Sequence, residues 1–530
     1  MTISLCCDKI KVFNKVIERI FLMNKYYLEK ADINNPKLYE TEIVSDTVVD
    51  ILPDETAFFG VKTANARKNA EVLVPGDTFV LDFGQHCVGT LSFRMRHDDR
   101  YLDAPVKVKL RFGETAYELS RDFASYHGGL CSSWLQEDII SIDFPEIVTL
   151  PRRYCFRYLE VTVIASPRPV RLTDFAVRCV TSADWSKLAP LPADTDPVLA
   201  RIDAVAAKTL ADCMQTAYED GPKRDRRLWT GDLRLQALTD YYLFKNDRLA
   251  RRCLYLFAAC EEDGKYLPGC LYQKPAVFFD DGMGITDYAM LWCSALCDYF
   301  EHTADEVTAR DLYPVAQRQM DLACSLIDKD GVLQFLDGWF SFIDWAPAIE
   351  RRIPCEGVVL YSMEKMAALA KALGDDAHAK AWSDKLTETR AKVYDKFFDA
   401  DRNAFYNADI DTPQYSVQSQ AWMILGGAIA GEQAISVLRD CLASPNALKP
   451  VTPYMHHYVV EAMVKLGMME EAKDYIKSYW GSMIANGADT FWEAYDPKNP
   501  DLSPYSDPIM NSFCHAWSCS PSYFIRKYFI

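Results

Sequence analysis

The sequence predicts a multidomain α and β protein, in which an N-terminal antiparallel β-sandwich precedes an (α/α)6 barrel. The chain has 530 residues, of which 49% are hydrophobic, and this is more than one ordinary core accommodates. The spacing of apolar residues changes from a period of two to a helical period near residue 187. We therefore expect a β-sandwich domain over residues 41–187 and a helical catalytic domain over residues 188–530.

Alternating residues indicate the strands of the first domain. The alternation is clearest in residues 91–96, 106–112 and 154–158, where apolar side chains alternate with charged or small ones. Strands with one apolar and one polar face are typical of antiparallel sheets. Several such strands in succession favour a sandwich.

Helical spacing begins after a proline-rich linker at residues 188–197. Met363, Met366 and Ala367 show this spacing, and Gly374 is typical of the end of a helix. Twelve helices favour six hairpins closed into a barrel, although counting alone does not distinguish a barrel from a bundle or a solenoid. The predicted helices are residues 198–218, 232–244, 247–261, 286–303, 305–328, 355–373, 376–397, 416–429, 431–443, 453–466, 469–484 and 508–528.

Residues 1–40 are predicted to form an N-terminal extension or a helix. Charged residues interrupt the apolar ones before Tyr27, so we expect an amphipathic helix or a poorly ordered segment, not a secretion signal. Met23 is a second candidate for the first residue, which leaves open whether residues 1–22 belong to the native protein. Since no run approaches about 18 apolar residues, no membrane span is expected.

The charge and the cysteines exclude several classes of partner. The net charge of −17 disfavours nucleic acids and anionic membranes, because both bind basic surfaces. The 17 cysteines form no Cys-x-x-Cys pair, and the eight histidines lack the spacing of metal ligands. We therefore expect no metal and no cofactor. Scattered cysteines in apolar stretches indicate free thiols in a reducing compartment, which predicts a cytoplasmic protein.

The most informative segment is the charged loop at residues 220–232. It contains Asp220, Asp225 and Asp232 together with arginines, a lysine and Trp229. Pro222 and a glycine interrupt helical periodicity, so the segment reads as a loop between two helices. Paired carboxylates beside an aromatic ring suit glycosidic bond cleavage, in which one carboxyl donates a proton and another activates water. The alternative is a capping network of ion pairs without a catalytic role.

Three further loops of the helical domain, residues 272–287, 334–347 and 488–496, combine aromatic and acidic residues. Aromatic rings stack on the apolar faces of sugars, and carboxylates bind their hydroxyl groups. The alternative for each ring is packing in the core. Closure of a barrel brings its first and last hairpins together, which sets the last loop opposite the charged loop. The candidates from these loops are Trp339, Asp344, Trp345, Trp492 and Glu493.

The charged loop and its surroundings resemble glycoside hydrolase family 78, the α-L-rhamnosidases. The resemblance runs from about residue 70 to the end of the chain. In the charged loop it covers an Asp-x-Pro-x-Arg-acid segment followed by Trp-x-Gly-Asp. Elsewhere it covers a mid-barrel Asp-Trp pair, a late Trp-Glu pair, a histidine near the end and two short sequence motifs of the β-sandwich. The matching segments are residues 220–225, 229–232, 344–345, 492–493, 515, 81–85 and 111–114.

The resemblance implies an inverting glycosidase with named roles for these residues. The general acid follows the arginine of the charged loop, at Asp225, and the general base is Glu493. The tryptophans lie near the bound sugar. The residues implied to hold the sugar are Asp220, Arg224, Trp229, Asp232 and His515.

Two features depart from the family pattern. The acid position is commonly glutamate, whereas here it is Asp225, followed by Arg226 and Arg227. Nearby cations favour an ionised carboxylate, which is the wrong direction for a general acid, so Asp232 is an alternative acid. Members often carry a further C-terminal β domain, while this chain ends at Ile530. One wall of the cleft is then either missing or supplied by a partner, for which a homo-oligomer is a candidate.

The first functional hypothesis is an inverting exo-acting glycoside hydrolase that releases terminal α-L-rhamnose or a related sugar from a glycoside or oligosaccharide. This mechanism needs carboxyl groups roughly 6.5–9.5 Å apart. The alternative is a catalytically weak carbohydrate-binding protein on the same fold. A third hypothesis is phosphorolysis, for which Arg351 and Arg352 are the candidates to bind phosphate.

Overall fold

The computed structural model describes residues 23–69, 72–97, 103–144, 146–274, 276–279, 281–407 and 414–530. A domain of antiparallel strands precedes a domain of helices, which confirms the predicted fold class. Of the predicted N-terminal extension or helix, residues 1–22 lie outside the described residues. Helix α1, Lys25–Ile33, begins where Asn24 caps its N-terminus and packs against the helical domain.

The β domain is one antiparallel sheet that bends around its core. The long strand β4 pairs with β2, β7, β8 and β9, and so joins both halves of the domain. The strands are β1 Tyr39–Ser45, β2 Thr47–Pro53, β3 Val61–Lys68, β4 Thr78–Arg96, β5 Val106–Gly113, β6 Glu137–Ile142, β7 Ile147–Thr149, β8 Tyr154–Ala165 and β9 Arg171–Thr181. A short helix, α2 Ala116–Ser120, lies between β5 and β6.

Alternation along β4 produces this core, as the sequence predicts. Leu91, Phe93 and Met95 are fully buried, while Arg94 lies on the outer face and pairs with Asp174. Successive side chains of a strand point to opposite faces, so a period of two places every apolar residue inside.

Within the described residues, twelve α-helices make up the second domain. Every second connection is short, and the two helices that it joins pack as a hairpin. The last helices contact the first, so the ring closes. The helices are α3 Pro197–Cys213, α4 Thr230–Leu243, α5 Asp247–Ala258, α6 Thr286–Thr303, α7 Glu306–Leu326, α8 Arg352–Ala372, α9 Asp376–Phe397, α10 Val417–Leu425, α11 Gly431–Ala443, α12 Pro453–Lys465, α13 Met469–Ala485 and α14 Pro521–Phe524.

The last predicted helix, residues 508–528, is wrong over most of its length. The segment before α14 contains only two single turns of 3-10 helix, Pro508–Met510 and Ala516–Ser518. Its backbone N–H groups bond outside the segment: His515 N donates to Phe491 O at 2.9 Å and Ala516 N donates to Asp220 O at 2.7 Å. These long-range bonds replace helical ones, so His515 lies on extended backbone.

Buried charges join the two domains beside the charged loop. Lys223 donates to Glu118 of α2 at 2.8 Å and lies 3.3 Å from Glu114. Arg153, which immediately precedes β8, pairs with Glu219 at 2.7 Å. The β domain therefore holds the start of the charged loop, and each of these contacts pairs opposite charges, as burial requires.

None of the helices in the described ranges is long and apolar enough to cross a membrane. The described cysteines are free, and all except Cys131, Cys179 and Cys324 are buried.

Replacing Gly357 by alanine is expected to destabilise the protein by about 1–3 kcal/mol, because helices α8 and α10 meet there without space for a side chain. A Cβ atom at this position would lie 2.5 Å from the carbonyl oxygen of Trp422. Chemical denaturation of the variant and the wild type measures the difference.

Gly481→Ala is the matched control, since Gly481 also lies inside a helix, α13. Its Cβ would meet Val198 at 3.5 Å and Ile202 at 3.9 Å, both ordinary contacts, so we expect a gain of about 0.5–1 kcal/mol from helix propensity. Equal effects of the two substitutions would contradict the close packing of α8 on α10.

Candidate active site

A cavity of about 330 Å³ lies at the end of the helical domain that carries the long loops. Its walls come from the charged loop, from the loops before α6 and α8, from the segment before α14 and from one residue of the β domain, Leu130. The other lining residues are Asp220, Arg224, Asp225, Arg227, Trp229, Asp232, Met283, Ile285, Tyr288, Phe340, Phe342, Trp345, Arg351, Glu493, Tyr505, His515 and Trp517.

Asp220 holds the charged loop in shape. Its two carboxylate oxygens accept hydrogen bonds from the backbone N–H groups of Asp225 and Arg227, each at 3.0 Å. The backbone N–H of Asp220 in turn donates to the carbonyl of Arg227 at 3.0 Å. The loop therefore closes on this carboxylate and leaves the side chain of Asp225 at the cavity.

Glu493 accepts hydrogen bonds from three donors. Oε2 is bonded by the guanidinium of Arg224 and by the backbone N–H of Ser512 at 3.0 Å. Oε1 accepts from the hydroxyl of Tyr505 at 2.5 Å. All three complement the charged form of a carboxylate. Arg224 is itself fixed, because its Nε donates to the carbonyl of Met510 at 2.9 Å.

Asp232 and His515 meet in the buried part of the cavity. Asp232 Oδ1 and His515 Nδ1 are 3.6 Å apart, and neither atom has a hydrogen-bond partner among the described residues. Burial, followed by the charges of Asp220 and Glu493, raises the pKa of Asp232 well above its ordinary value. Burial and the charge of Arg224 lower the pKa of His515 well below its ordinary range. Both shifts favour the neutral form of the side chain, and both side chains can bond a ligand hydroxyl.

Asp220 and Asp225 are two further carboxyl groups of the cavity. Burial and the negative charge of Asp225 raise the pKa of Asp220 to about 7. Arg227 lies 3.4 Å and Arg224 lies 3.7 Å from the carboxylate of Asp225.

Aromatic rings form the remaining walls. Phe342 and Trp517 are stacked with centroids 5.8 Å apart, and Trp229 meets Tyr288 edge to face at 6.4 Å. At the mouth, Trp345 is 39% exposed, although tryptophan is usually well covered. An exposed aromatic rim beside buried carboxyls is the arrangement that binds a sugar ring.

The structure brings together eight of the eleven predicted site residues: Asp220, Arg224, Asp225, Trp229, Asp232, Trp345, Glu493 and His515. Asp344, Trp339 and Trp492, predicted to bind substrate, do not line the cavity.

Asp344 points into the protein because its carboxylate satisfies buried donors there. It accepts from the side chains of Thr452 at 2.7 Å and Gln418 at 2.8 Å, and from the backbone N–H of Trp345 at 2.9 Å. Burial raises the pKa of Asp344 to about 6. Its role is to fix the loop that presents Trp345.

The two tryptophans pack elsewhere. Trp492 precedes Glu493 and stacks on Phe58 of the β domain. Trp339 lies over Gly284 and meets Tyr266 edge to face at 5.5 Å. These contacts favour the interpretation of both rings as packing residues.

Sequence reasoning missed several lining residues, among them Leu130, Tyr288, Tyr505 and Trp517. Trp517 could have been predicted, since it lies two residues after His515, which was itself a candidate site residue. Leu130 and Tyr505 carry no local signal, because their positions depend on contacts between the two domains.

Of the two arginines considered for phosphate, only Arg351 lines the cavity. Its Nε donates to the carbonyl of Phe342 at 3.2 Å. Arg352 instead donates to the carbonyl of Leu333 at 3.3 Å and lies over the ring of Phe335.

His86 is buried at the junction of the two domains. Among the described residues, two groups of side chains could hold a metal ion, and His86 belongs to both. His86 lies with Glu114 and Cys155 on one side and with Asp212 and Cys514 on the other. Its ring bonds Asp212 at 2.7 Å and Glu114 at 3.2 Å. Burial lowers the pKa of His86, but Cys514 and Asp212 outweigh this effect and raise it well above the ordinary value. The ring is therefore protonated, and its two nitrogens already bond the two carboxylates.

Two family models match this chain. The glycosyl hydrolase family 78 alpha-rhamnosidase N-terminal domain matches residues 45–179, and the bacterial alpha-L-rhamnosidase 6 hairpin glycosidase domain matches residues 194–529. The second match alone covers more than half of the chain. The chain belongs to glycoside hydrolase family 78, the α-L-rhamnosidases.

Solved structures of α-L-rhamnosidases resemble the chain. A rhamnosidase from Klebsiella oxytoca with rhamnose bound is 37% identical, with a TM-score of 0.91 over 96% of this chain and 99% of that one. A family 78 rhamnosidase of Bacillus sp. GL1 is 23% identical, with a TM-score of 0.72 over 89% of this chain and 50% of that one. The α-L-rhamnosidase of Streptomyces avermitilis complexed with L-rhamnose is 17% identical, with a TM-score of 0.67 over 93% of this chain and 44% of that one. The last two share the fold. No curated protein sequence matches the chain.

Asp232→Asn is expected to make the stability of the protein less dependent on pH. The pKa of Asp232 is raised in the folded protein, whereas the unfolded chain releases this proton above about pH 4. The stabilisation of the fold by protonated Asp232 is complete below about pH 4. It is lost as the pH rises through the pKa that Asp232 has in the folded protein. Urea denaturation at pH 5 and pH 8 should therefore show a smaller loss for the variant than for the wild type.

Asp298→Asn is the control, because this buried carboxylate has the opposite environment. Against the effect of burial, the charges of Lys365 and Arg234 lower the pKa of Asp298, so its stabilisation is present above the unfolded-state pKa. We expect this variant to lose stability at pH 8. Identical pH dependence in the wild type and Asp232→Asn would contradict a neutral Asp232.

Proposed function

We propose that this protein is an inverting, exo-acting α-L-rhamnosidase that hydrolyses a glycoside or an oligosaccharide with terminal rhamnose. The observation that carries the proposal is the position of Glu493, whose carboxylate shares one small cavity with Asp225 and Asp232. A carboxylate held by three donors and a carboxyl that keeps its proton are the two groups that inversion requires.

The cavity supports an exo mode of action. At about 330 Å³ it is at the small end of ligand pockets, which suits one terminal sugar and not the interior of a chain. Met283 and Ile285 line the wall, and an apolar wall is the surface that the methyl group of a 6-deoxy sugar requires. Asp232 and His515 carry the polar atoms without partners, and we assign them to the sugar hydroxyls.

In the proposed reaction, Glu493 removes a proton from water and the water oxygen attacks the anomeric carbon from the face opposite the leaving group. The glycosidic bond breaks as the general acid transfers its proton to the leaving oxygen. Each oxygen of Glu493 can accept two hydrogen bonds. Oε2 accepts from two groups and Oε1 from one, so we assign the water to Oε1.

We assign the general acid to Asp225 and keep Asp232 as the alternative. The side chain of Asp225 is 17% exposed while that of Asp232 is 3% exposed, and the leaving group of an exo-acting enzyme lies toward the mouth of its cavity. The raised pKa of Asp232 is the argument for the alternative.

A catalytically weak carbohydrate-binding protein is the second candidate. It is favoured by the two guanidinium groups within 4 Å of the carboxylate of Asp225, since cations favour the ionised form. Such a protein binds rhamnose with little turnover.

We also infer a cytoplasmic location. The 15 described cysteines are free thiols, and thiols persist in reducing compartments.

Glu493→Gln is expected to lower kcat for p-nitrophenyl α-L-rhamnopyranoside by about 10²–10⁴-fold, because an amide does not accept the proton from water. Release of p-nitrophenol measures the rate, and isothermal titration with rhamnose checks that binding persists. Glu471→Gln is the matched control, since Glu471 pairs with Arg439 on the surface, and it should retain wild-type activity.

The general acid is identified by varying the leaving group. Loss of the acid should lower kcat/KM strongly for the p-nitrophenyl substrate but weakly for the 2,4-dinitrophenyl substrate, whose leaving group needs little protonation. We expect Asp225→Asn to show this difference and Asp232→Asn to lose both activities equally. The reverse result would assign the acid to Asp232. Rhamnose binding by a wild type without turnover on a panel of rhamnosides would favour the carbohydrate-binding protein, and acceleration by added phosphate would favour phosphorolysis.

A further inference from the structure

Tyr505 connects the proposed base to the β domain. Its hydroxyl donates to Oε1 of Glu493 at 2.5 Å, and the guanidinium of Arg224 lies 4.1 Å from the centre of its ring. The ring also meets Trp345 at the mouth of the cavity, with centroids 6.2 Å apart. Burial and the charge of Glu493 raise the pKa of Tyr505 well above its ordinary value, so the hydroxyl keeps its proton and remains a donor.

The backbone of Tyr505 is held from the other side by residues 126–130 of the β domain. The N–H of Gly129 donates to the carbonyl of Tyr505 at 2.9 Å. Gly128 packs so closely that a Cβ atom would lie 2.5 Å from the same carbonyl oxygen and 2.4 Å from the hydroxyl of Tyr126. That hydroxyl also accepts from the N–H of Leu130 at 3.3 Å, and Leu130 lines the cavity.

We propose that Tyr505 is a positioning residue for Glu493 and that residues 126–130 of the β domain hold it in place. The proposal rests on the assignment of Glu493 as the base. Tyr505 touches the base and lies beside the sugar site, and no step of the reaction passes through its oxygen. It fixes Oε1, the oxygen to which we assign the water.

The position of Oε1 depends on Tyr505 more than that of Oε2 does. Oε2 is held by Arg224 and by the N–H of Ser512, whereas the hydroxyl of Tyr505 is the one donor to Oε1 among the described residues. The other charged or titratable groups of the described residues that act on Glu493 or line the cavity are Asp220, Arg224, Asp225, Arg227, Asp232, Tyr288, Arg351 and His515. Removal of the hydroxyl leaves these groups in place and frees the carboxylate to turn about its side-chain bonds.

Tyr505→Phe should lower kcat by about tenfold, the loss of one hydrogen bond to a charged group. KM and the affinity for rhamnose should change by less than about twofold, because Tyr505 acts on the base. A wild-type kcat would overturn the proposal, as would a loss confined to KM.

Gly128→Ala and Gly129→Ala test the contact with the β domain as a matched pair. In Gly128→Ala the added Cβ atom is forced against the carbonyl oxygen of Tyr505. In Gly129→Ala the added Cβ atom lies 3.8 Å from the same oxygen, which is an ordinary contact. We expect Gly128→Ala to lower kcat with little change in KM, as Tyr505→Phe does, and Gly129→Ala to resemble the wild type. Combining Gly128→Ala with Tyr505→Phe should add little further loss, because both act through one contact. Full additivity would overturn the role of residues 126–130.

Failure of this proposal is distinguishable from failure of the proposed function. A wild type without turnover of rhamnosides contradicts the function, whereas a wild type that turns over and equals Tyr505→Phe contradicts only the role of Tyr505. A crystal structure of Gly128→Ala provides a measurement independent of turnover. The Tyr505 hydroxyl should be displaced from Glu493 in it, and an unmoved hydroxyl would overturn the contact.

Discussion

The buried ion pair between Arg224 and Glu493 joins two segments that lie 269 residues apart, and the rest of the site is built around it. Arg224 belongs to the first loop of the helical domain and Glu493 to the last, so the pair exists only when the ring of helices is closed. Lys223, the preceding residue, pairs instead with Glu118 of the β domain. Removal of one partner from a buried pair costs about 3–5 kcal/mol, because the other charge is left uncompensated. Closure of the barrel, attachment of the β domain and placement of the proposed base therefore depend on two adjacent side chains.

Environment separates the roles of four carboxyl groups within this small cavity. Glu493 receives three donors, while Oδ1 of Asp232 is buried without a partner among the described residues, which favours the neutral form of that carboxyl. The oxygens of Asp220 bond the backbone of its own loop, and its raised pKa follows from burial beside Asp225. These different surroundings support the different roles that we propose for groups of one chemical type: a base, a structural anchor and proton donors.

The order of the domains, eleven of the twelve helices and the charged loop were predictable, because hydrophobic periodicity and the turn chemistry of proline and glycine are local. The direction of single side chains was not. Trp339, Asp344 and Trp492 carry the same pairing of acid and ring as Trp345 and Glu493, but the donors and rings that they contact decide which way each one points. Tyr505 carried no signal at all, since its position depends on glycines of the β domain nearly 380 residues earlier. The helix predicted across His515 failed for the same reason, because long-range bonds of its N–H groups replace helical ones.

The anomer of rhamnose that is released first tests the account most directly, because inversion requires water, activated by Glu493, on the face opposite the leaving group. Proton NMR during the first turnovers of an α-L-rhamnoside, recorded faster than mutarotation, distinguishes the two anomers. The account predicts that β-L-rhamnose accumulates first and then equilibrates. Initial release of α-L-rhamnose would mean retention through a covalent intermediate, and would contradict the role of Glu493 as a general base.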